Sequence, residues 1–174
     1  MAAKYDGIHF LITGGTIDSY YEGSKDTVVP NKESVIPQYV KSLKLPVETE
    51  FTIVCMKDSR DLTEKDRQKV LETIEKSRHK KIIVLHGTYT MPETARFIKS
   101  SINRKDQTII LTGSMIPIKD FAFSDAPFNM GFALANLNSL KPGVYACMNG
   151  NVFSPEEVKK IVEEGRFASI FQEK

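Results

Sequence analysis

The sequence predicts an α/β fold in which a mostly parallel, doubly wound sheet of about five strands carries helices on both of its faces. Two observations support this prediction. Short apolar runs alternate along the chain with segments of helical periodicity, and turn residues such as "GG" and "NG" separate them. The runs are continuously apolar, as expected for parallel strands that are covered on both faces.

Five apolar runs are the predicted strands, at 7–13, 50–56, 81–86, 107–112 and 143–148. Residues 14–31 are expected to form a long polar loop. Helices are predicted over about 33–43, 64–78, 91–101 and 126–140. Asn31 and Thr63 are the expected N-caps of the first two helices. A last helix is expected to open at Ser154, because "SPEE" combines a capping serine, a proline and two acids in the order typical of a helix start.

Composition and charge exclude several classes of protein. The chain has 174 residues, and we expect residues 1–174 to form a single domain. Its 24 basic and 22 acidic side chains give a formal net charge of +2, which offers no footprint for nucleic acid or an anionic membrane. No apolar run approaches the roughly 20 residues that span a bilayer, and no signal-peptide pattern is visible. A cytoplasmic location is therefore expected.

The cysteines and histidines form no recognisable metal or disulfide pattern. Cys55 and Cys147 each end an apolar run and are expected to be reduced, buried thiols. His9, His79 and His86 lack the spacing of metal ligands, so no metal site is predicted. We expect His86 to have a structural role, hydrogen-bonded beneath the loop that it begins.

Glycines and small hydroxyl residues follow the predicted strands. Ligands of a doubly wound sheet bind outside the carboxyl ends of its strands, which selects the loops at 14–31, 57–63, 86–91 and 112–125. Backbone N–H groups beside glycine can bind an oxyanion, and a threonine hydroxyl can act as a nucleophile once activated. "TGGT" lacks the spacing of a dinucleotide-binding or phosphate-binding loop. Taken alone, each loop is equally typical of an ordinary strand-to-helix turn.

Taken together, these segments resemble the bacterial-type L-asparaginase/glutaminase family. "ITGGTID" and "HGTYTMPETA" are similar to its two signature segments, and "DSRDLT" is similar to its substrate loop. "LTGSMIP", "DAPFNMGFALA" and "MNGNVFSPEEVKK" resemble three further segments, the last of which ends in a catalytic lysine. The similar segments occur in the same order over nearly the whole chain, which makes a chance match improbable.

The resemblance implies a catalytic set of residues in these loops. Thr16 would be the nucleophile that attacks a side-chain amide, and Thr88 would be a second catalytic threonine. Lys160 would activate Thr88, although the adjacent Lys159 is an alternative. A tyrosine would relay a proton, and Tyr21 is preferred over Tyr20 for this role.

The predicted substrate-binding set comprises Gly15, Asp58, Ser59, Arg60, Asp61, Gly87 and Tyr89, of which the resemblance implies the role of Ser59. Ser59 would bind the α-carboxylate of the substrate, and the Arg60 guanidinium could hold the same group through two hydrogen bonds. Backbone N–H groups at Thr88 and its neighbours would stabilise the oxyanion of a tetrahedral intermediate.

Position 89 departs from the family pattern. Family members carry an aspartate there, which binds the α-amino group of the substrate, whereas this chain has Tyr89. A neutral phenol cannot form an ion pair with an ammonium, but it can accept a hydrogen bond or stack on a cation. Either Asp58 or Asp61 takes over the amino group, or the substrate is different.

The chain is also shorter than typical family members, which carry a smaller C-terminal domain that completes the site of a partner subunit. We therefore expect a more open site, or one closed by a neighbouring chain in a homo-oligomer, either a dimer or a tetramer.

The predicted function is hydrolysis of a small amino-acid substrate, L-asparagine, to L-aspartate and ammonia through a threonine nucleophile, with glutamine as a weaker candidate. No metal or organic cofactor and no nucleic-acid or membrane partner are implied. Two alternatives remain open: the same machinery acting on another amide, and a catalytically inactive domain that binds an amino acid or a partner protein.

Overall fold

A six-stranded sheet forms the centre of the computed structural model, which describes residues 7–171. Its strands are β1 (Ile8–Gly14), β4 (Thr49–Lys57), β5 (Lys81–Leu85), β6 (Thr108–Thr112), β7 (Gly143–Met148) and β8 (Asn151–Phe153). They follow the order β4-β1-β5-β6-β7-β8 across the sheet. The first five in this order are parallel, and β8 runs antiparallel to β7. The mostly parallel sheet is thereby confirmed, with one short strand beyond the five predicted.

Helices cover both faces of this sheet, as predicted. Their bounds are Ile36–Ser42 (α1), Glu64–Lys76 (α2), Met91–Ser101 (α3) and Ala126–Asn136 (α4). The helices α2 and α3 pack on one face through a core that includes Ile74 and Ile98. The helices α1 and α4 pack on the other face, where Ile36 and Met130 belong to a second core. Burial of apolar side chains on both sides explains why the strands are continuously apolar.

The predicted N-caps had different outcomes. Thr63 caps α2 as predicted: its hydroxyl accepts from the Asp66 backbone N–H at 3.3 Å, and Asp66 accepts from the Thr63 backbone N–H at 2.9 Å. The prediction that Asn31 caps the first helix is wrong, because α1 begins five residues later at Ile36. Asn31 instead donates to the Asp18 carboxylate at 3.0 Å and holds the preceding loop.

The helix predicted at Ser154 is wrong. The capping signal does form, since the Ser154 N–H donates to the Glu157 carboxylate at 2.7 Å, but it closes only a single turn. The chain then continues as an antiparallel hairpin of β9 (Val158–Ile161) and β10 (Arg166–Ser169). Val158 and Phe167 are buried in the core beside α3, so tertiary packing overrides the local helix signal.

The segment 14–31, predicted as a loop, contains a second hairpin. Its strands are β2 (Ser19–Glu22) and β3 (Thr27–Pro30), and they pair with each other rather than with the central sheet. Of the eight residues in these two strands only Ser19 is buried, so the segment has no continuous apolar run and is polar enough to be taken for a loop.

Glycine backbones bring the loops after the strands into direct contact. Gly15 has a positive φ of 76°, and a Cβ there would lie 2.3 Å from the Gly87 Cα atom. A Cβ at Gly87 would lie 2.6 Å from the Ser59 Cβ, and one at Gly113 would lie 2.3 Å from the His86 carbonyl oxygen. A side chain at any of these positions would therefore force the loops apart.

His86 lies beneath its loop, in agreement with the structural role expected for it. Its Nδ1 is 2.7 Å from the Gly87 carbonyl oxygen, which fixes the neutral tautomer with the proton on Nδ1. The Nε2 atom is buried without a hydrogen-bond partner among the residues described. Burial lowers the pKa of His86 to about 4, and the nearby Arg67 acts in the same direction.

A matched pair of glycine substitutions tests the loop contacts. We expect Gly113→Ala to lower the free energy of unfolding by about 1–3 kcal/mol, because the added methyl group meets a backbone oxygen that cannot move aside. Gly131 lies within α4 with no heavy atom within 4 Å of an added Cβ. Gly131→Ala should therefore stabilise the protein by about 0.5–1 kcal/mol through helix propensity. Urea denaturation measures both; equal effects would contradict the close contact at Gly113.

His86 makes stability depend on pH in a defined window. Since its pKa in the folded protein lies below the ordinary value of 6.5, the unfolded chain binds a proton there that the native state does not. The contribution of His86 to the free energy of unfolding is therefore complete above pH 6.5. It is lost at about 1.4 kcal/mol per pH unit as the pH falls towards 4. Urea denaturation of wild type and His86→Gln from pH 7.5 to 4.5 isolates this loss. Parallel pH profiles would contradict the buried neutral imidazole.

Candidate active site

A cavity of about 210 Å³ opens at the carboxyl ends of β1, β4 and β5. All the residues that line it belong to the set predicted from the sequence: Gly15, Thr16, Asp58, Ser59, Arg60, Gly87, Thr88, Tyr89 and Lys160. The structure therefore brings together four separate segments of the chain, which meet where a doubly wound sheet is expected to bind its ligand. Two members of the predicted set, Tyr21 and Asp61, are not among the lining residues.

A lysine and a threonine contact each other inside the cavity. The Lys160 Nζ atom lies 2.7 Å from the Thr88 Oγ1 atom, and Thr88 is buried. Burial lowers the pKa of Lys160, the nearby Arg60 lowers it further, and Asp58 opposes them. A lysine with a lowered pKa releases its proton more readily and becomes a better base for a neighbouring hydroxyl.

The alternation of β9 selects Lys160 over Lys159. Side chains two residues apart in a strand point to the same face, so Lys160 lies on the same face as the buried Val158. Lys159 is exposed on the opposite face. Only the lysine at 160 is hydrogen-bonded to Thr88 among the described side chains.

Thr16 reaches the cavity from the turn that follows β1. This turn is one short 3₁₀ segment, Thr16–Asp18, and it begins directly after Gly15, whose positive φ redirects the chain. Because Gly15 packs on Gly87, the residues that follow these two glycines, Thr16 and Thr88, lie in the same cavity.

The turn after β4 contributes Asp58 and Arg60, which form an ion pair with each other. The Asp58 carboxylate accepts from Arg60 Nε at 3.0 Å and from Arg60 Nη2 at 2.8 Å, a bidentate arrangement. These hydrogen bonds lower the pKa of Asp58. Ser59 between them is buried, and its Oγ atom accepts from the Thr90 backbone N–H at 3.3 Å, which ties this turn to the loop after β5.

Tyr89 lies at the mouth of the cavity and is 53% exposed. Arg60 Cζ lies 5.8 Å from the centre of its ring, and Lys160 Nζ lies 5.7 Å from it. Both distances are within the range of cation–π attraction. The ring is therefore already close to two cations of the protein itself.

Tyr21 and Asp61 lie outside the cavity. The Tyr21 hydroxyl donates to Asp26 at 2.5 Å within the β2–β3 hairpin, and its side chain is largely exposed. Tyr20, the alternative, donates to Glu22 at 3.2 Å in the same hairpin. The Asp61 side chain is exposed at the end of its turn. The proton relay predicted for Tyr21 has no contact with the cavity in this arrangement.

A network of amide side chains that sequence reasoning missed positions the hairpin that carries Lys160. Asn129 of α4 donates to the Gly113 carbonyl oxygen at 3.0 Å and accepts from the Asn149 backbone N–H at 3.0 Å. The Asn149 side chain then accepts from the Phe167 N–H of β10 at 2.9 Å. The segments "DAPFN" and "MNG" were recognised in the sequence, but no pattern in them indicates that their side chains meet.

Among the residues that the structure describes there is neither a reactive cysteine nor a cluster of metal ligands. Cys55 and Cys147 are free, and burial raises the pKa of these thiols to about 11 and about 12, which makes them poor nucleophiles. Within residues 7–171, no group of three or more histidine, cysteine or acidic side chains is arranged to hold a metal ion. The helices of this range are all too short or too polar to cross a bilayer.

Comparison with known proteins identifies relatives of similar sequence. The curated glutaminase-asparaginase of Acinetobacter glutaminasificans is 33% identical over 109 residues, which cover 59% of this chain and 32% of that protein. L-asparaginase 1 of Escherichia coli K12 is 29% identical over 138 residues, which cover 73% of this chain and 39% of that protein.

Two solved structures have a similar fold. L-asparaginase I from Vibrio cholerae superposes with a TM-score of 0.80 at 26% identity, over 94% of this chain and 51% of that one. The thermostable L-asparaginase from Thermococcus kodakarensis gives a TM-score of 0.79 at 25% identity, over 96% of this chain and 52% of that one. The chain thus spans about half the length of these structures.

The family model described as "Asparaginase, N-terminal" matches residues 7–171, which include all the residues that line the cavity. The order of the strands, the loops that meet at the cavity and this match agree with one another. The chain belongs to the asparaginase family and corresponds to its N-terminal part.

Proposed function

We propose that this protein is an amidohydrolase that hydrolyses the side-chain amide of L-asparagine to give L-aspartate and ammonia. The observation that carries the proposal is the 2.7 Å contact between Lys160 and Thr88 in a cavity that also contains Thr16. A threonine hydroxyl is a weak nucleophile at neutral pH, so a base that reaches it is the feature that separates a catalytic cavity from a binding cavity.

In the proposed reaction the Thr16 hydroxyl attacks the amide carbon, and its proton passes towards the Thr88–Lys160 pair. Backbone N–H groups beside Gly15 and Gly87 would stabilise the oxyanion, because the glycines leave these groups accessible. Ammonia leaves with the proton that the lysine returns, and an ester between the acyl group and Thr16 remains. Water then hydrolyses the ester, and Thr16 regains its proton.

The turn after β4 supplies the proposed contacts of the substrate carboxylate. Ser59 is fixed by the loop after β5, and Arg60 is oriented by its bidentate pairing with Asp58. A guanidinium held in this way keeps N–H groups for a second carboxylate, because it carries five donors.

The alternative of an inactive binding domain does not explain the Lys160–Thr88 contact. Partly burying a lysine costs free energy, and a domain that only bound an amino acid would gain nothing from directing that lysine at a hydroxyl. The cytoplasmic location and the homo-oligomeric state stay predictions.

Three substitutions test the proposed catalytic groups. We expect Thr16→Ala, Thr88→Ala and Lys160→Met each to lower kcat for ammonia release from L-asparagine by about 100-fold or more. Lys159→Met is the matched control, because it removes the same charge from the exposed face of the same strand and should stay within about threefold of wild type. Wild-type turnover in all three cavity variants would refute the assignment.

Tyr21 requires a separate test, because the structure gives its hydroxyl a partner outside the cavity. We expect Tyr21→Phe to keep kcat within about threefold of wild type, since the hydrogen bond to Asp26 is exposed and therefore weak. Ammonia release measures this directly. A loss comparable to that of Lys160→Met would instead mean that the β2–β3 hairpin carries the phenol into the cavity during the reaction.

A further inference from the structure

The charges that face the cavity are unequal. Two cationic side chains, Arg60 and Lys160, line it together with a single carboxylate, that of Asp58. Both oxygens of this carboxylate accept from Arg60, whose side chain and backbone donate three hydrogen bonds to them, so the charge of Asp58 is already largely neutralised. Lys160 forms no ion pair with a carboxylate among residues 7–171. The lining therefore has an excess of positive charge.

No acid among the described residues compensates for this excess at the mouth of the cavity. Position 89 carries a neutral phenol ring, and its face is already directed at both cations. Asp61 is exposed outside the cavity, although it is close enough to Arg60 to interact with that guanidinium. A positively charged ammonium that entered the cavity would find only the Asp58 carboxylate, whose charge Arg60 already neutralises.

The pKa of Lys160 shows how this environment affects a positive charge. Its pKa is lowered by burial first and by Arg60 second, and Asp58 only partly offsets them. The cation of a substrate would meet the same desolvation and the same guanidinium. A carboxylate would meet the same desolvation, but the Arg60 guanidinium and the Lys160 ammonium would attract it.

A groove adjoins the cavity and shares Tyr89 and Lys160 with it. Its volume is about 370 Å³, and its lining includes apolar side chains at Pro92, Val162 and Ile170. Two glutamates also line it, Glu93 and Glu156, and they are paired with Arg96 and Lys99 respectively. Val162 and Ile170 are both at least half exposed, so the groove presents apolar surface to the solvent. A substituent attached to the substrate nitrogen could extend from the cavity over the Tyr89 ring into this groove.

We propose that the preferred substrate is an N-acylated asparagine, which carries a carboxylate and a carboxamide but an uncharged α-nitrogen. The inference rests on the proposed function and specifies its substrate class. The reaction is the same hydrolysis: water and the carboxamide give ammonia and an N-acylated aspartate. Free L-asparagine is then the poorer substrate, because its ammonium is desolvated without a partner.

The test compares kcat/KM for ammonia release from L-asparagine and from N-acetyl-L-asparagine at pH 7.5 with wild-type protein. We expect the acetylated substrate to be favoured by about tenfold or more, which corresponds to about 1.4 kcal/mol. Since the preference arises from charge, it should shrink as salt is raised from 0.05 to 0.5 M, where the Debye length shortens to a few ångströms.

Substitutions at position 89 test whether charge causes the preference for the acetylated substrate. Tyr89→Asp places a carboxylate beside both cations and should shift the preference towards free asparagine by at least tenfold. Tyr89→Asn is the matched control of equal size without the charge, and it should retain the preference for the acetylated substrate. Since the side chain is 53% exposed, both variants are expected to fold, and thermal unfolding verifies this.

The outcomes separate this inference from the proposed function. Faster release from free asparagine by wild-type protein would overturn the inference and leave the proposed function standing. An unchanged preference in a folded Tyr89→Asp variant would also overturn it. Absence of ammonia release from both amides would refute the proposed function, and the inference with it.

Discussion

The contact between the backbones of Gly15 and Gly87 is the constraint on which the candidate site depends. The two loops approach so closely that a Cβ on Gly15 would lie 2.3 Å from the neighbouring Cα. This approach places Thr16 and Thr88, the next residues along each loop, in one cavity. Ser59 packs on Gly87 in turn, so a third loop is positioned by the same contact. The main chain, rather than flexible side chains, therefore sets the positions of the hydroxyl groups.

Around this backbone core, charges are arranged in two different ways. Asp58 and Arg60 neutralise each other through a bidentate pair at the surface, where such a pair mainly orients the guanidinium. Burial lowers the pKa of Lys160, Arg60 lowers it further, and the hydrogen-bond partner of its ammonium is a hydroxyl rather than a carboxylate. The Tyr89 ring lies within cation–π distance of both cations and neutralises neither.

Local patterns predict much of the fold and the loops that meet at the cavity, whereas the resemblance to a known family supplies individual site residues such as Lys160. Continuous apolar runs located the strands, and the rule that parallel strands gather their carboxyl ends at one edge located the loops that meet. The wrong prediction of a helix at Ser154 has a physical cause. "SPEE" formed its cap, yet the burial of Val158 and Phe167 in the core turned the following residues into strands. The roles expected of Tyr21 and Asp61 stay predictions, because the direction of a loop side chain depends on partners such as Asp26, which spacing does not indicate.

The lysine of the site is carried by a hairpin that pairs only with itself and docks on the central sheet through Val158, Phe167 and the amide of Asn149. Val158 and Phe167 belong to the same buried core as Leu11 and Val84 of the central strands. The position of Lys160 relative to Thr88 is therefore set by core packing rather than by strand pairing with the central sheet. A change of side-chain volume in that core can alter the distance between Nζ and Oγ1 without altering the pairing of any strand.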